Sequence, residues 1–138
     1  MKAIIFSSAN KPILPGTKGN VAQLDLNEID KLKRSSITEL ECFDVLESSE
    51  NDDILQDLMS KLRTGGVLKL KGTDARQVCK VFERGHIGET ELTKLLVRNK
   101  LRAVSVADIL EKISTNKEMS ILFAGVSGTG YLVEVKRN

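Results

Sequence analysis

The run Cys42-Phe43-Asp44-Val45-Leu46-Glu47, a short amphipathic segment, and then Leu62-Arg63-Thr64-Gly65-Gly66-Val67-Leu68-Lys69-Leu70 confine this chain more than any other feature. They read as strand, helix, glycine turn and strand, since an apolar run gives way to helical spacing and then to a second apolar run. Ile54, Leu55, Leu58, Met59 and Leu62 share one stripe of a 3.6-residue helix, and Asp57, Lys61 and Arg63 lie off it. Ser49 or Asn51 is expected to cap its start. Asp52 and Asp53 fall in the first turn and Lys61 and Arg63 in the last, in keeping with the helix dipole. Gly65-Gly66 is expected to stop the helix, because glycine enters the left-handed region at no steric cost. The connection is long enough for a parallel crossover, which takes about a dozen residues. The unit is therefore βαβ, with acidic residues at the carboxyl end of its first strand, where open α/β sheets place ligands.

Around this unit the chain reads as one domain over residues 1–138, long enough to bury a core without disulfides or metal. With 41% hydrophobic and 29% charged residues and a formal charge of +2, it matches neither a disordered chain nor a nucleic-acid-coating tail. No apolar run approaches the roughly 18 residues of a membrane span. The amino terminus turns polar too soon for a secretory signal, so an intracellular location is expected. Cys42 in an apolar strand and Cys79 on an apolar helix stripe are both expected to be buried. Two cysteines and one histidine do not make a usual zinc site, and His86, in a glycine-bounded loop, is expected at the surface. No metal site and no Ser-His-Asp arrangement is expected.

Lys2-Ala3-Ile4-Ile5-Phe6 reads as a first strand and runs into Ser7-Ser8-Ala9-Asn10-Lys11-Pro12, which contains no glycine. Gly16 and Gly19 follow two prolines and read as an irregular turn. Asp25 ends the short apolar run Val21-Ala22-Gln23-Leu24, where it is either a ligand carboxylate or the cap of Asn27-Glu28-Ile29-Asp30-Lys31-Leu32. Beyond Asp74 three helical stripes are expected: Ala75, Val78, Cys79 and Phe82; Leu92, Leu95 and Leu96; Val106, Ile109, Leu110 and Ile113. Thr73 or Asp74 is expected to cap the first and Ser105 the third. The basic run Val97-Arg98-Asn99-Lys100-Leu101-Arg102 reads as a solvated face, with contact to phosphate the alternative, and nucleic acid is not an expected partner. Ser120-Ile121-Leu122-Phe123-Ala124 and Tyr131-Leu132-Val133-Glu134-Val135-Lys136 form a closing antiparallel hairpin. The intervening Gly125-Val126-Ser127-Gly128-Thr129-Gly130 has dinucleotide-fingerprint spacing, but a strand follows it rather than a helix.

Asp44-Val45-Leu46-Glu47, the acidic helix start, Leu62-Arg63-x-Gly65-Gly66 and the apolar strand ending in Asp74 resemble the second half of a class I S-adenosylmethionine-dependent methyltransferase. More narrowly, Phe6-Ser7-Ser8-x-Asn10-Lys11-Pro12-Ile13-Leu14-Pro15-Gly16, with Leu24-Asp25-Leu26 beyond, is similar to the short methyltransferase-like proteins of tailed bacteriophages. The resemblance implies a compact Rossmann-like α/β domain: a mostly parallel sheet flanked by helices, with a C-terminal antiparallel hairpin. It also implies that Asp25 would face the cofactor ribose, with Asp44, Val45 and Glu47 near the transferred methyl or its acceptor. The chain departs from the family in lacking a glycine-rich loop after the first strand, where bare backbone must approach the cofactor. It is also shorter than the fold usually requires. The expectation is therefore a degenerate, non-catalytic domain without cofactor, serving as a structural or interaction module in a bacteriophage virion or its assembly. It would be located in host cytoplasm or virion, with protein partners or self-association. The alternative is a methyltransferase using S-adenosylmethionine on an unknown acceptor.

Overall fold

The computed structural model describes residues 2–6, 21–98 and 100–138. The serine-rich and proline-bearing segment with Gly16 and Gly19, the opening of the bacteriophage resemblance, and Asn99 lie outside the described residues. In chain order come β1 (Lys2–Phe6), β2 (Val21–Asp25), a 3-10 helix (Leu26–Lys31) and β3 (Ile37–Phe43). Then follow α1 (Val45–Ser48), α2 (Ile54–Lys61), β4 (Leu62–Thr73) and α3 (Ala75–Glu83). The chain continues through α4 (Glu89–Leu96), α5 (Val106–Ser114), β5 (Met119–Ser127) and β6 (Gly130–Arg137). One six-stranded sheet has the order β2-β1-β3-β4-β6-β5. The first three pairings are parallel and the last two antiparallel, giving the expected Rossmann-like α/β sheet flanked by helices with a closing hairpin.

Alternation along the strands decides which face each helix covers. Ala3, Ile5, Leu40, Cys42, Leu68, Leu70, Val133 and Val135 are buried on one face and cluster with Leu55, Leu58 and Met59 of α2 and Ile109 and Ile113 of α5. On the other face, among the described residues, β3 presents Glu39 and Glu41 between lysines. Glu39 pairs with Lys2 and Lys69, each at 3.2 Å, and Glu41 with Lys71 at 2.6 Å. These opposite charges on neighbouring strands are cross-strand pairs of the kind that stabilise a half-exposed sheet.

Several local expectations are corrected. The first strand of the βαβ unit ends at Phe43, and Val45–Ser48 is a helical turn instead of more strand. Gly65-Gly66 does not stop α2, which ends at Lys61 when Leu62 turns extended (φ −70°, ψ 135°). The two glycines lie inside β4, where its pairing with β3 jumps from Ile37↔Leu62 to Glu39↔Val67. Gly65 has φ +81°, and a Cβ on Gly66 would lie 2.7 Å from the Ile37 carbonyl oxygen, so this bulge needs glycine. Neither Ser49 nor Asn51 is the cap residue of α2; Asp53 is, without a side-chain bond, while the Asn51 side chain accepts from the Asp53 N–H and donates to Asp57. Cys79 is exposed, because only Val78 of the α3 stripe reaches the interior. Cys42 is buried as expected, and His86 is exposed.

Candidate functional site

The strand order places a topological switch point beside β1, which has β2 on one side and β3 on the other. Connections leaving neighbouring strands in opposite directions open a crevice at their carboxyl ends, and ligands of open α/β sheets bind there. Asp25 ends β2 and Asp44 follows β3, so the fold brings two of the four expected site residues to this crevice. A cavity of about 730 Å³ lies alongside, lined among others by Asp25, Asn27, Ser49, Asn51, Lys100 and Leu101. That falls within the roughly 300–1,000 Å³ of small-molecule sites.

Asp25 is the cap that its place before the helical segment allowed. Its Oδ1 accepts from the Asn27 N–H at 3.0 Å, and Glu28 Oε1 accepts from the Asp25 N–H at 3.2 Å, a reciprocal capping box on the 3-10 helix. An ionised carboxylate offers about four acceptor positions, and the N–H groups of Asn27 and Glu28 take up to two of them. Asp44 is held in the left-handed conformation (φ 53°, ψ 24°), with its N–H donating to the Lys71 carbonyl at 2.9 Å. Burial pushes its carboxyl above the usual range, and the Lys100 ammonium pulls the other way. Val45 is buried in the core cluster, and of the four expected site residues Asp25 alone lines the cavity.

Glu47 lies deeper than the resemblance implied. It is 1% exposed, and its Oε1 accepts from the Tyr131 hydroxyl at 2.7 Å, while Oε2 has no hydrogen-bond partner among the described residues. Gly72 makes room for the pair: a Cβ there would lie 2.6 Å from Glu47 Oε1 and 2.7 Å from the Tyr131 oxygen. Burial pushes the Glu47 acid up to about 7, against the Tyr131 hydrogen bond, and it pushes the Tyr131 hydroxyl well above its ordinary value.

Lys100 and Arg102 belong to this region, contrary to the solvated face expected of their segment. The Glu47 carbonyl accepts from the N–H groups of Leu101 (2.8 Å) and Arg102 (3.2 Å), which pins the loop over the strand ends. Lys100 donates to the Leu95 carbonyl, and Arg102 donates to the Ser49 carbonyl at 2.7 Å and pairs with Asp52 at 2.9 Å. A cluster of basic residues in sequence signalled these side chains but not their direction. Tyr131, the only tyrosine of the chain, carried no local signal at all.

Among the described residues no group of three or more His, Cys, Asp and Glu side chains is placed to hold a metal ion. No described helix is long and apolar enough to cross a membrane.

No protein-family model and no curated protein matches the chain. Solved structures do. An S-adenosylmethionine-dependent methyltransferase structure from Methanosarcina mazei superposes with TM-score 0.62 at 12% identity, over 99% of this chain and 92% of that one. One from Mesorhizobium loti gives 0.62 at 10% identity, over 99% and 90%. A longer S-adenosylmethionine-dependent methyltransferase structure from Anabaena variabilis gives 0.54 at 13%, over 88% of this chain and 60% of that one. The fold is therefore that of class I S-adenosylmethionine-dependent methyltransferases. At such identities the likeness carries the architecture alone.

Proposed function

We propose that this domain binds S-adenosylmethionine across the carboxyl ends of its parallel strands and acts as a methyltransferase on an acceptor that its residues do not identify. The observation that supports this reading is the cavity at the switch point with Asp25 on its wall. The residues present fit the ribose side of such a ligand, because the capped Asp25 carboxylate retains acceptor capacity for two hydroxyl donors. When bound, the cofactor supplies a sulfonium methyl for in-line displacement, a reaction that needs mainly positioning from the protein. Asp25 would hold the ribose. Asp44 would contribute a polar, partly desolvated carboxyl near the transferred group, and Lys100 at the cavity wall would balance its charge. Glu47, sealed beneath the loop, would position Asp44 and Lys100 from below rather than touch ligand.

Titration calorimetry with S-adenosylmethionine and S-adenosylhomocysteine tests the proposal. Saturable binding is expected, together with a raised melting temperature through mass action. Asp25→Asn keeps an oxygen for the cap while weakening the acceptor, and should reduce affinity by about tenfold, the equivalent of one charge-assisted hydrogen bond. Unchanged affinity would remove Asp25 from the site.

A second reading keeps the fold without the cofactor, as an interaction module of a virion or its assembly. It is favoured by the glycine-free Ser7-Ser8-Ala9-Asn10-Lys11-Pro12 sequence after β1 and by the engagement of Asp25 as a cap. Absence of any calorimetric signal with either nucleoside ligand would select it.

A further inference from the structure

The sheet has two edges, and they differ in character. β2 is five residues long and ends on Asp25, whereas β5 runs for nine residues, Met119-Ser120-Ile121-Leu122-Phe123-Ala124-Gly125-Val126-Ser127, without a charge or a proline. Among the described residues six large hydrophobic side chains are exposed, and four of them stand within six positions of β5. Ile121 is 45% exposed, Leu122 52%, Phe123 50% and Val126 46%. Natural edge strands are kept from pairing by brevity, lysine, proline, inward charges or bulges. β5 has only the last, an irregularity between Ile121 and Phe123.

We propose that β5 is a self-association surface, where a second copy of this chain pairs edge to edge in antiparallel fashion about a two-fold axis. The choice of occupant rests on charge. In an isologous interface every residue meets its own patch, so any net charge on the strand would face a like charge. β5 carries none, whereas its neighbour β6 carries Glu134, Lys136 and Arg137. A charged partner would find no counter-ion on this strand, and an identical uncharged strand finds no repulsion. With the axis through Ala124, Leu122 of one copy would lie opposite Val126 of the other, and Phe123 opposite Gly125. Within one chain the Phe123 ring already approaches Gly125, 3.1 Å from where a Cβ would stand, so an aromatic cover over this glycine suits the surface. Pairing would satisfy the unpaired main-chain groups of the edge and cover the apolar side chains together.

Sedimentation velocity across a dilution series, with hydrogen exchange of β5 amides, tests the proposal on the full chain. A reversible dimer is expected, with β5 amides losing protection on dilution. Leu122→Lys and Phe123→Lys, at positions about half exposed, should each weaken the dimer at least about tenfold by setting an unpaired charge against the apolar residue opposite it in the other copy. Val97→Lys, at a position 63% exposed on another surface, should leave it unchanged. Circular dichroism of each variant checks that the fold persists. A monomer at every concentration would overturn the proposal, as would an open-ended assembly or a dimer indifferent to both β5 substitutions.

Discussion

Glu47 is the residue whose state most depends on its surroundings. Burial at 1% exposure, with one oxygen unpartnered among the described residues, pushes this carboxyl toward its neutral form and raises its pKa from the usual 4.5 to about 7. The folded protein therefore keeps a proton that the unfolded chain releases above about pH 4.5, so folding stability should fall as pH rises from there to about 7 and level off beyond. The shift corresponds to an order of 3 kcal/mol. The groups facing Glu47 are Tyr131 from β6, Asp44 at the head of α1 and Lys100 from the loop after α4; Asp44 opposes its ionisation and Lys100 favours it. Urea titrations at pH 5 and pH 8 should show the drop, and Glu47→Gln should flatten it. Glu39 acts in the opposite direction at lower pH: burial raises it, but hydrogen bonds from Lys2 and Lys69 outweigh that and hold it below the ordinary range. Its contribution is lost as pH falls below about 4.5, so maximal stability is expected near pH 5. At this scale the sequence placed Asp25 and Asp44 at strand ends. It could not show that Glu47, three residues beyond Asp44, turns inward, because its partner Tyr131 is 84 positions away.

Between elements, Asp74 is the joint that fixes the second half of the domain. It is 2% exposed, and its Oδ1 accepts from the Gln77 N–H at 3.0 Å, capping α3, while its Oδ2 accepts from the Val106 N–H at 2.8 Å in the first turn of α5. Its own N–H donates to the Thr129 carbonyl at 2.7 Å, in the hairpin turn. One carboxylate thus ties two helix starts to the end of β4. Asp74→Ala should cost about 2–4 kcal/mol, since it strands two partly buried N–H donors that bond a charged acceptor. Ser105→Ala, which loses a cap to Asp108 alone, should cost about 1 kcal/mol in the same urea titration. Both caps were legible as sequence, because Asp and Ser stand directly before apolar helical stripes. The link from Asp74 to α5 was not, since it spans 32 residues. Gly65-Gly66 shows the same limit in reverse: a glycine pair after a helical stripe reads locally as a stop, yet the Ile37 carbonyl of a neighbouring strand is what excludes a side chain there.

Across the whole molecule one core cluster joins every strand from β1 to β6 except the outermost pair of edges, and α2 and α5 seal it. Leu68, at 0% exposure in the middle of β4, sits near its centre. Leu68→Ala should destabilise the domain by about 2–5 kcal/mol, and a single urea transition with unchanged slope is expected because one core unfolds as one unit. The sequence by itself determined the order of the main strands and helices, the helix caps at Asp74 and Ser105, and the closing hairpin. These follow from spacing and turn chemistry within about a dozen residues. Only the tertiary structure decided the bulge at Gly65-Gly66, the exposure of Cys79, the inward turn of Lys100 and Arg102, the sealed Glu47–Tyr131 pair and the bare flank of β5. Each depends on which surface another part of the chain happens to cover, and residue spacing along one segment carries no record of that.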